Sequence, residues 1–201
     1  ITSMIEKNNE LHIITDDGAI TKVLFYRSDI FRIWIGPDGN LTDPISKDET
    51  PIVVYNNKPI KVYKSEHNDY YQLESDSCIL RIRKNPCIFS LYKKDNSTLL
   101  FEETKPITYG TETYQSINND IDNYYYGCGM QNGHYCHNNR TIQIENIYDS
   151  KQNIWEEHGT PNAVPFYMTL KGYGVFRNTY SGGTYEFKSI VKTIHKENRF
   201  D

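Results

Sequence analysis

An all-β fold, an antiparallel β-sandwich, is what the 201-residue sequence predicts. Three observations carry that expectation. Apolar residues recur in short runs with an alternation of two, separated by Gly, Pro, Asn and Asp turns. The 17 Tyr, 8 Phe and 2 Trp supply packing surface of the kind that favours strands. No window of about a dozen residues carries apolar spacing at three and four, although Asp48–Ile52 or Thr111–Ile117 has room for one helical turn.

The elements follow in order. Leu11–Thr15 and Ile20–Tyr26 flank Asp16-Asp17-Gly18, the pattern of an opening hairpin. Ile30–Ile35 is apolar on nearly both faces and stops at Gly36-Pro37-Asp38-Gly39-Asn40, which predicts a central strand packed on two sides. Ile52–Tyr55 and Pro59–Tyr63 are extended runs about an Asn56-Asn57 turn. Tyr70–Leu73 leads to Cys78–Arg83, where Leu80 and Ile82 alternate with Arg81 and Arg83, one face buried and one wet. Pro86 interrupts, and Ile88–Tyr92 then meets Leu99–Glu102 across the charged tip Lys93-Lys94-Asp95-Asn96. The polar stretch Thr111–Asn123 predicts a surface loop. Thr184–Ile194 alternates again. A sandwich of this length commonly forms one domain, here residues 1–201.

Composition narrows the function. A net charge of −4 gives no electrostatic footprint for nucleic acid. No apolar run reaches the roughly 18 residues of a membrane span, and the opening residues lack a signal-peptide pattern. Cellular location is not legible. Cys78, Cys87, Cys128 and Cys136 match neither a zinc frame nor a redox pair and are expected to be free, mostly buried thiols. Cys128, His134, Cys136 and His137 cluster in the sequence, but their spacing is not that of a structural zinc site, and no metal is expected. The glycines around Cys128 instead suggest a bulge or a close backbone approach.

One set of phrases is specific. Tyr125-Tyr126-Gly127-Cys128-Gly129-Met130-Gln131-Asn132-Gly133, the run Thr141–Asn146, Pro165-Phe166-Tyr167 and Gly172-Tyr173-Gly174-Val175-Phe176-Arg177-Asn178 occur together in order. Together they resemble the N-terminal β-sandwich domain, galactose mutarotase-like, of glycoside hydrolase family 31, which holds α-glucosidases, α-xylosidases and α-glucosyltransferases. Arg32-Ile33-Trp34-Ile35 with Gly36-Pro37 and Asp43-Pro44 is similar to the family's early strand and turn. The Gly-Leu-Gly-Glu of many members is here Gly127-Cys128-Gly129-Met130, closer to a bacterial-type subgroup that includes glucosyltransferases, and Glu145-Asn146 replaces a Trp-Asn phrase.

The resemblance implies a noncatalytic domain cut before a (β/α)8 barrel that carries both reacting aspartates, with no cofactor and no catalytic residue in this chain. Pairs such as Glu102-Glu103 and Glu156-Glu157 are adjacent, and adjacent residues in a strand point to opposite faces. The resemblance also implies that the loop Tyr148–Asn162 leans over the barrel mouth. That loop is polar and long for a compact domain. Trp155 is suited to stack on a sugar ring of an α-glucoside or oligosaccharide, and Glu156, Glu157 and Asn162 to bond its hydroxyls, with Asn146 at the loop's start. The competing reading has Trp155 stapling the loop to the sandwich. Two other functions stay open: a free-standing carbohydrate-binding module, and an aldose-epimerase-like enzyme using His134, His137 and Glu145.

Overall fold

The computed structural model describes residues 1–7, 10–44, 51–54, 60–120, 122–146 and 162–201. Among them are sixteen strands in four antiparallel sheets and no helix. The first sheet runs in chain order through β1 (Ser3–Lys7), β2 (Glu10–Ile14), β3 (Ile20–Arg27) and β4 (Ile30–Gly36). A five-stranded meander follows: β5 (Tyr63–Glu66), β6 (Tyr70–Glu74), β7 (Cys78–Lys84), β8 (Cys87–Lys93) and β9 (Leu99–Glu102).

The remaining strands interleave. β10 (Thr113–Asn118), β12 (Arg140–Ile144), β15 (Gly183–Phe187) and β16 (Ile190–His195) form a sheet ordered β10-β16-β15-β12. β11 (Tyr125–Met130), β13 (Asn162–Thr169) and β14 (Gly174–Phe176) form a three-stranded sheet in that order. One core cluster draws on all four sheets, with Ile13 and Val23 from the first, Leu80 and Phe89 from the second, Tyr185 and Phe187 from the third, and Tyr125 and Tyr167 from the fourth. Periodicity explains most of this: Leu80 and Ile82 are fully buried while Arg81 and Arg83 face out.

Several expectations are corrected. The opening hairpin is present, but β1 precedes it as a further strand. Ile30–Ile35 is a strand at the end of its sheet rather than a central one: Ile30 is 47% exposed, and only the Trp34–Ile35 half is buried. Its free edge is covered late in the chain by a bridge from Ile35 to Phe200. Ile52–Val54 is not strand, and residues 55–59 lie outside the described residues, as does most of Asp48–Ile52. Thr184–Ile194 is two strands joined at Lys188-Ser189.

The stretch Thr111–Asn123 is not a surface loop, nor does it hold a helical turn. It contains β10, which pairs with β16 and faces inward with Thr113, Gln115 and Ser116. Polar residues survive there because each is bonded across the core: Gln115 Nε2 donates to Glu103 Oε1 at 2.8 Å, Ser116 and Thr104 share a hydroxyl bond at 2.5 Å, and Thr113 Oγ1 accepts from Arg177.

Candidate functional site

The Gly127-Cys128-Gly129 phrase builds a bulge. β11 pairs with β13 as Gly127↔Tyr167, then as Gly129↔Ala163, so Val164–Phe166 spans opposite Cys128 alone. Pro165 sits inside the bulge, where it lacks no ladder bond because it has no N–H to give. A Cβ on Gly129 would lie 2.1 Å from Asn162 O, and one on Gly127 2.7 Å from Phe166 O; both glycines also have positive φ, +80° and +115°. The expected close backbone approach is therefore observed. Cys128 turns into the core, and burial pushes its thiol up to about 12.

The segment expected to form the long loop is flanked by residues at this bulge. Residues 147–161 lie outside the described residues, so Trp155, Glu156 and Glu157 cannot be assigned contacts. Both ends are described. Asn146 donates from Nδ2 to Ala163 O at 2.9 Å and accepts from Ala163 N on Oδ1 at 2.6 Å, a side-chain imitation of a strand pair that clasps the loop's base. Asn162 is exposed beside it, paired in register with Met130.

The chain's last residues come to the same end of this sheet. Arg177 N donates to Pro165 O at 2.9 Å and Asn178 N to Asp201 O at 3.0 Å. Around them sits a charged cluster whose members fall in separate phrases of the sequence that sequence reasoning did not bring together. Arg32 donates to both carboxylate oxygens of Asp201, from Nε at 2.5 Å and from Nη2, and that Nη2 reaches Asp43 at 2.7 Å. Asn178 Nδ2 donates to the same carboxylate at 2.9 Å. Burial opposes the Arg32 charge, but the bonds and charge of Asp201 outweigh it and raise its pKa. Arg177 is fully buried, its guanidinium 3.9 Å from the centre of the Phe200 ring, donating to Asp201 O and Thr113 Oγ1. The signal for these residues was the phrase Phe176-Arg177-Asn178; nothing in the sequence linked it to Arg32 or Asp201.

The three-stranded sheet has two unlike faces. Ala163, Tyr167 and Thr169 point inward, whereas Val164, Met168 and Leu170 on the alternate positions are exposed, Met168 by 48% and Leu170 by 64%. Cross-strand partners continue the outer face: Tyr126 lies opposite Met168, and Phe176 opposite Phe166. No charged residue occurs in β11, β13 or β14.

The other candidates are dispersed. His137 is buried, its Nε2 2.9 Å from Gly127 O, and burial lowers its pKa. Its backbone N–H bonds Tyr125 O, at the opposite end of β11 from Met130, while Glu145 follows the far end of β12. Five strand residues, roughly 16 Å, therefore separate the histidine from the carboxylate named for epimerase chemistry. Cys136 Sγ donates to Asn138 Oδ1 at 3.1 Å. All four thiols are free, Cys78 and Cys128 fully buried. Glu102 and Glu103 do part to opposite faces, with Glu103 1% exposed. The burial of Glu103 and His195 was not anticipated; the signal for His195 was its inward position in the alternation of β16.

Comparison with known proteins accords with this architecture. The profile of the glycosyl hydrolase 31 N-terminal galactose mutarotase-like domain matches residues 21–186, and the chain belongs to that family. No curated protein matches the chain. Among solved structures, a family 31 dextranase of Flavobacterium johnsoniae complexed with glucose superposes with a TM-score of 0.85 at 17% identity, over 98% of this chain and 25% of that one. The cycloalternan-forming enzyme of Listeria monocytogenes, in complex with a pentasaccharide substrate, gives 0.77 at 16% identity over 98% and 19%. A family 31 α-xylosidase from a soil metagenome, complexed with xylose, gives 0.79 at 16% identity over 100% and 32%. The chain thus spans a third or less of each.

Proposed function

We propose that this chain is the noncatalytic N-terminal domain of a retaining α-glycosidase or α-glucosyltransferase, and that it lends the loop Tyr148–Asn162 to carbohydrate binding on a barrel that follows it. In such an enzyme two carboxylates about 5–5.5 Å apart act as nucleophile and acid/base, and both belong to the barrel. The loop's part is orientation: Trp155 stacks on the apolar face of a sugar ring, Glu156, Glu157 and Asn162 bond its hydroxyls, and the Asn146 clasp fixes the loop's root.

One observation carries this reading. The root of the loop and the exit of the chain meet at the same end of one sheet, linked through Pro165, Arg177, Asn178 and Asp201, so a domain joined to Asp201 begins beside the loop. The sugars bound by the dextranase and xylosidase neighbours support carbohydrate as the parent's ligand.

The test is Trp155→Ala in the full-length parent. Loss of about tenfold or more in kcat/KM toward an α-glucoside, with thermal stability unchanged, is expected. An unchanged kcat/KM, or hydrolysis of an α-glucoside by residues 1–201 alone, overturns the proposal.

A further inference from the structure

We infer that the cleft between the edges of β9 and β10 is a second saccharide-binding site, sized for one sugar ring and separate from the loop proposed above. The inference rests on the proposed function only for carbohydrate as the parent's ligand.

The cleft arises where two sheets part. β9 is the last strand of the meander and β10 the end strand of another sheet. They meet at the bridge Glu103↔Ile117, where Thr104 N donates to Ser116 O at 2.9 Å. On one side of that bridge β9 leads back to Leu99 while β10 runs on to Asn118, and a cavity of about 250 Å³ opens between them. Pockets for drug-sized molecules hold roughly 300–1,000 Å³, so this one has room for a single ring rather than a chain. Leu99, Leu100 and Phe101 line one side, and Glu102, Asn118, Asp120 and Lys171 supply the polar groups. The β10 side is pinned, since Asn119 Oδ1 accepts from Tyr125 Oη at 2.7 Å and its amide donates to Lys188 O.

Charge and shape select the ligand. Lys171 Nζ lies 2.9 Å from Asp120 Oδ2, so the one cation lining the cavity is already paired and is poorly suited to a phosphate. The same ammonium opposes a metal ion beside Asp120. Phe101 is only 7% exposed and packs on Tyr173, which leaves no open ring for a nucleobase. The rim instead mixes carboxylate oxygens, an ammonium and the exposed Asn118 amide beside hydrocarbon. A pyranose matches both parts, because each hydroxyl donates and accepts while its C–H face packs on apolar surface. Lys171 lies beyond the opposite end of β13 from Asn162, about 24 Å of strand away. A polysaccharide long enough to reach both points would gain from the second contact as an intramolecular event.

Amide NMR of the 201-residue chain titrated with D-glucose tests the site. Saturable shifts are expected at Leu99–Glu102, Asn118–Asp120 and Lys171, with a Kd of about 1–10 mM, the range that ligand efficiency allows a molecule of about a dozen heavy atoms. Asn118→Ala combined with Lys171→Met should weaken that Kd at least about tenfold while resonances remote from the cleft keep their positions. No saturable shift up to about 100 mM glucose, or a double variant that binds like wild type, overturns the inference. Shifts confined to residues 147–161 also sink it, and leave the proposed function standing. Tighter saturation by glycine than by glucose would make the cleft a zwitterion site between Lys171 and Asp120, and would equally end the saccharide reading. A parent that cleaves no α-glucoside, although glucose saturates the cleft, would remove the proposed function and leave this site in place.

Discussion

Replacing Glu103 with Gln should make the domain markedly less sensitive to alkaline pH. Glu103 is fully buried; its Oε2 accepts from Phe89 N at 2.9 Å and its Oε1 from Gln115 Nε2 at 2.8 Å, and among the described residues no cation pairs with it. Burial pushes its pKa from 4.5 up to about 8, against the opposing pull of those two bonds. A folded-state pKa above the unfolded one means that stability is fully present below pH 4.5 and is lost as pH rises toward 8. At about 1.4 kcal/mol per unit, the loss between pH 5 and pH 8 is about 3–4 kcal/mol. Gln at 103 stays neutral throughout. Its oxygen takes the Phe89 N–H, and its amide donates to Gln115 Oε1, which has no partner now, once the Gln115 amide turns over. Urea unfolding of wild type and E103Q at pH 5 and pH 8 measures the effect, and subtraction cancels the groups common to both. A difference between the two proteins that stays constant within about 0.5 kcal/mol over that range would refute a buried, neutral Glu103.

Three further outcomes follow from the same structure. His195 Nδ1 donates to Ser181 O at 3.0 Å, which leaves Nε2 of the neutral ring to accept from Tyr185 Oη at 3.1 Å, and burial lowers its pKa to about 3 from 6.5, so its contribution is complete above pH 6.5 and lost as pH falls toward 3. His195→Gln should therefore cut the wild-type loss between pH 7 and pH 4.5 by about 2–3 kcal/mol in equilibrium unfolding; parallel curves would argue against it. Gly129→Ala forces a Cβ against Asn162 O at positive φ and should lower the melting temperature by more than about 5 °C, whereas a wild-type melt would mean that the bulge relaxes freely. Asp201→Ala removes the buried partner of Arg32, leaving the guanidinium only the more exposed Asp43, and should cost about 3 kcal/mol, much of it restored by adding Arg32→Met; no coupling in that double-mutant cycle would deny the ion pair.

How much of this was legible depended on where the hydrogen bonds go. β7 announced itself because Leu80 and Ile82 bury hydrocarbon and Arg81 and Arg83 do not. β10 did not, because Thr113, Gln115 and Ser116 are buried through side-chain bonds to partners more than ten residues away, and a pattern scan scores such residues as wet. Gly127 and Gly129 could be assigned a bulge from the sequence, since close backbone approach demands glycine. The partner strand could not be registered, and with it the convergence at Pro165 stayed hidden. Asn146 was readable as a loop boundary, but its clasp on Ala163 is a tertiary fact.

The cluster around Asp201 ties the chain's last residues to the bulge at Pro165. The last residues are built into the fold: Phe200 exchanges backbone bonds with Ile35, Asp201 is gripped by Arg32 and Asn178, and Arg177 lies buried against both residues. Arg177 also bonds Thr113 of β10, and through Pro165 its backbone reaches the bulge that roots the loop. Burying a guanidinium without a direct carboxylate partner is costly, and its pKa is lowered accordingly. What offsets that cost is position: one buried side chain bonds Asp201 and Thr113 and packs on Phe200, while its backbone holds Pro165, so a single residue ties the chain's last residues, β10 and the bulge together.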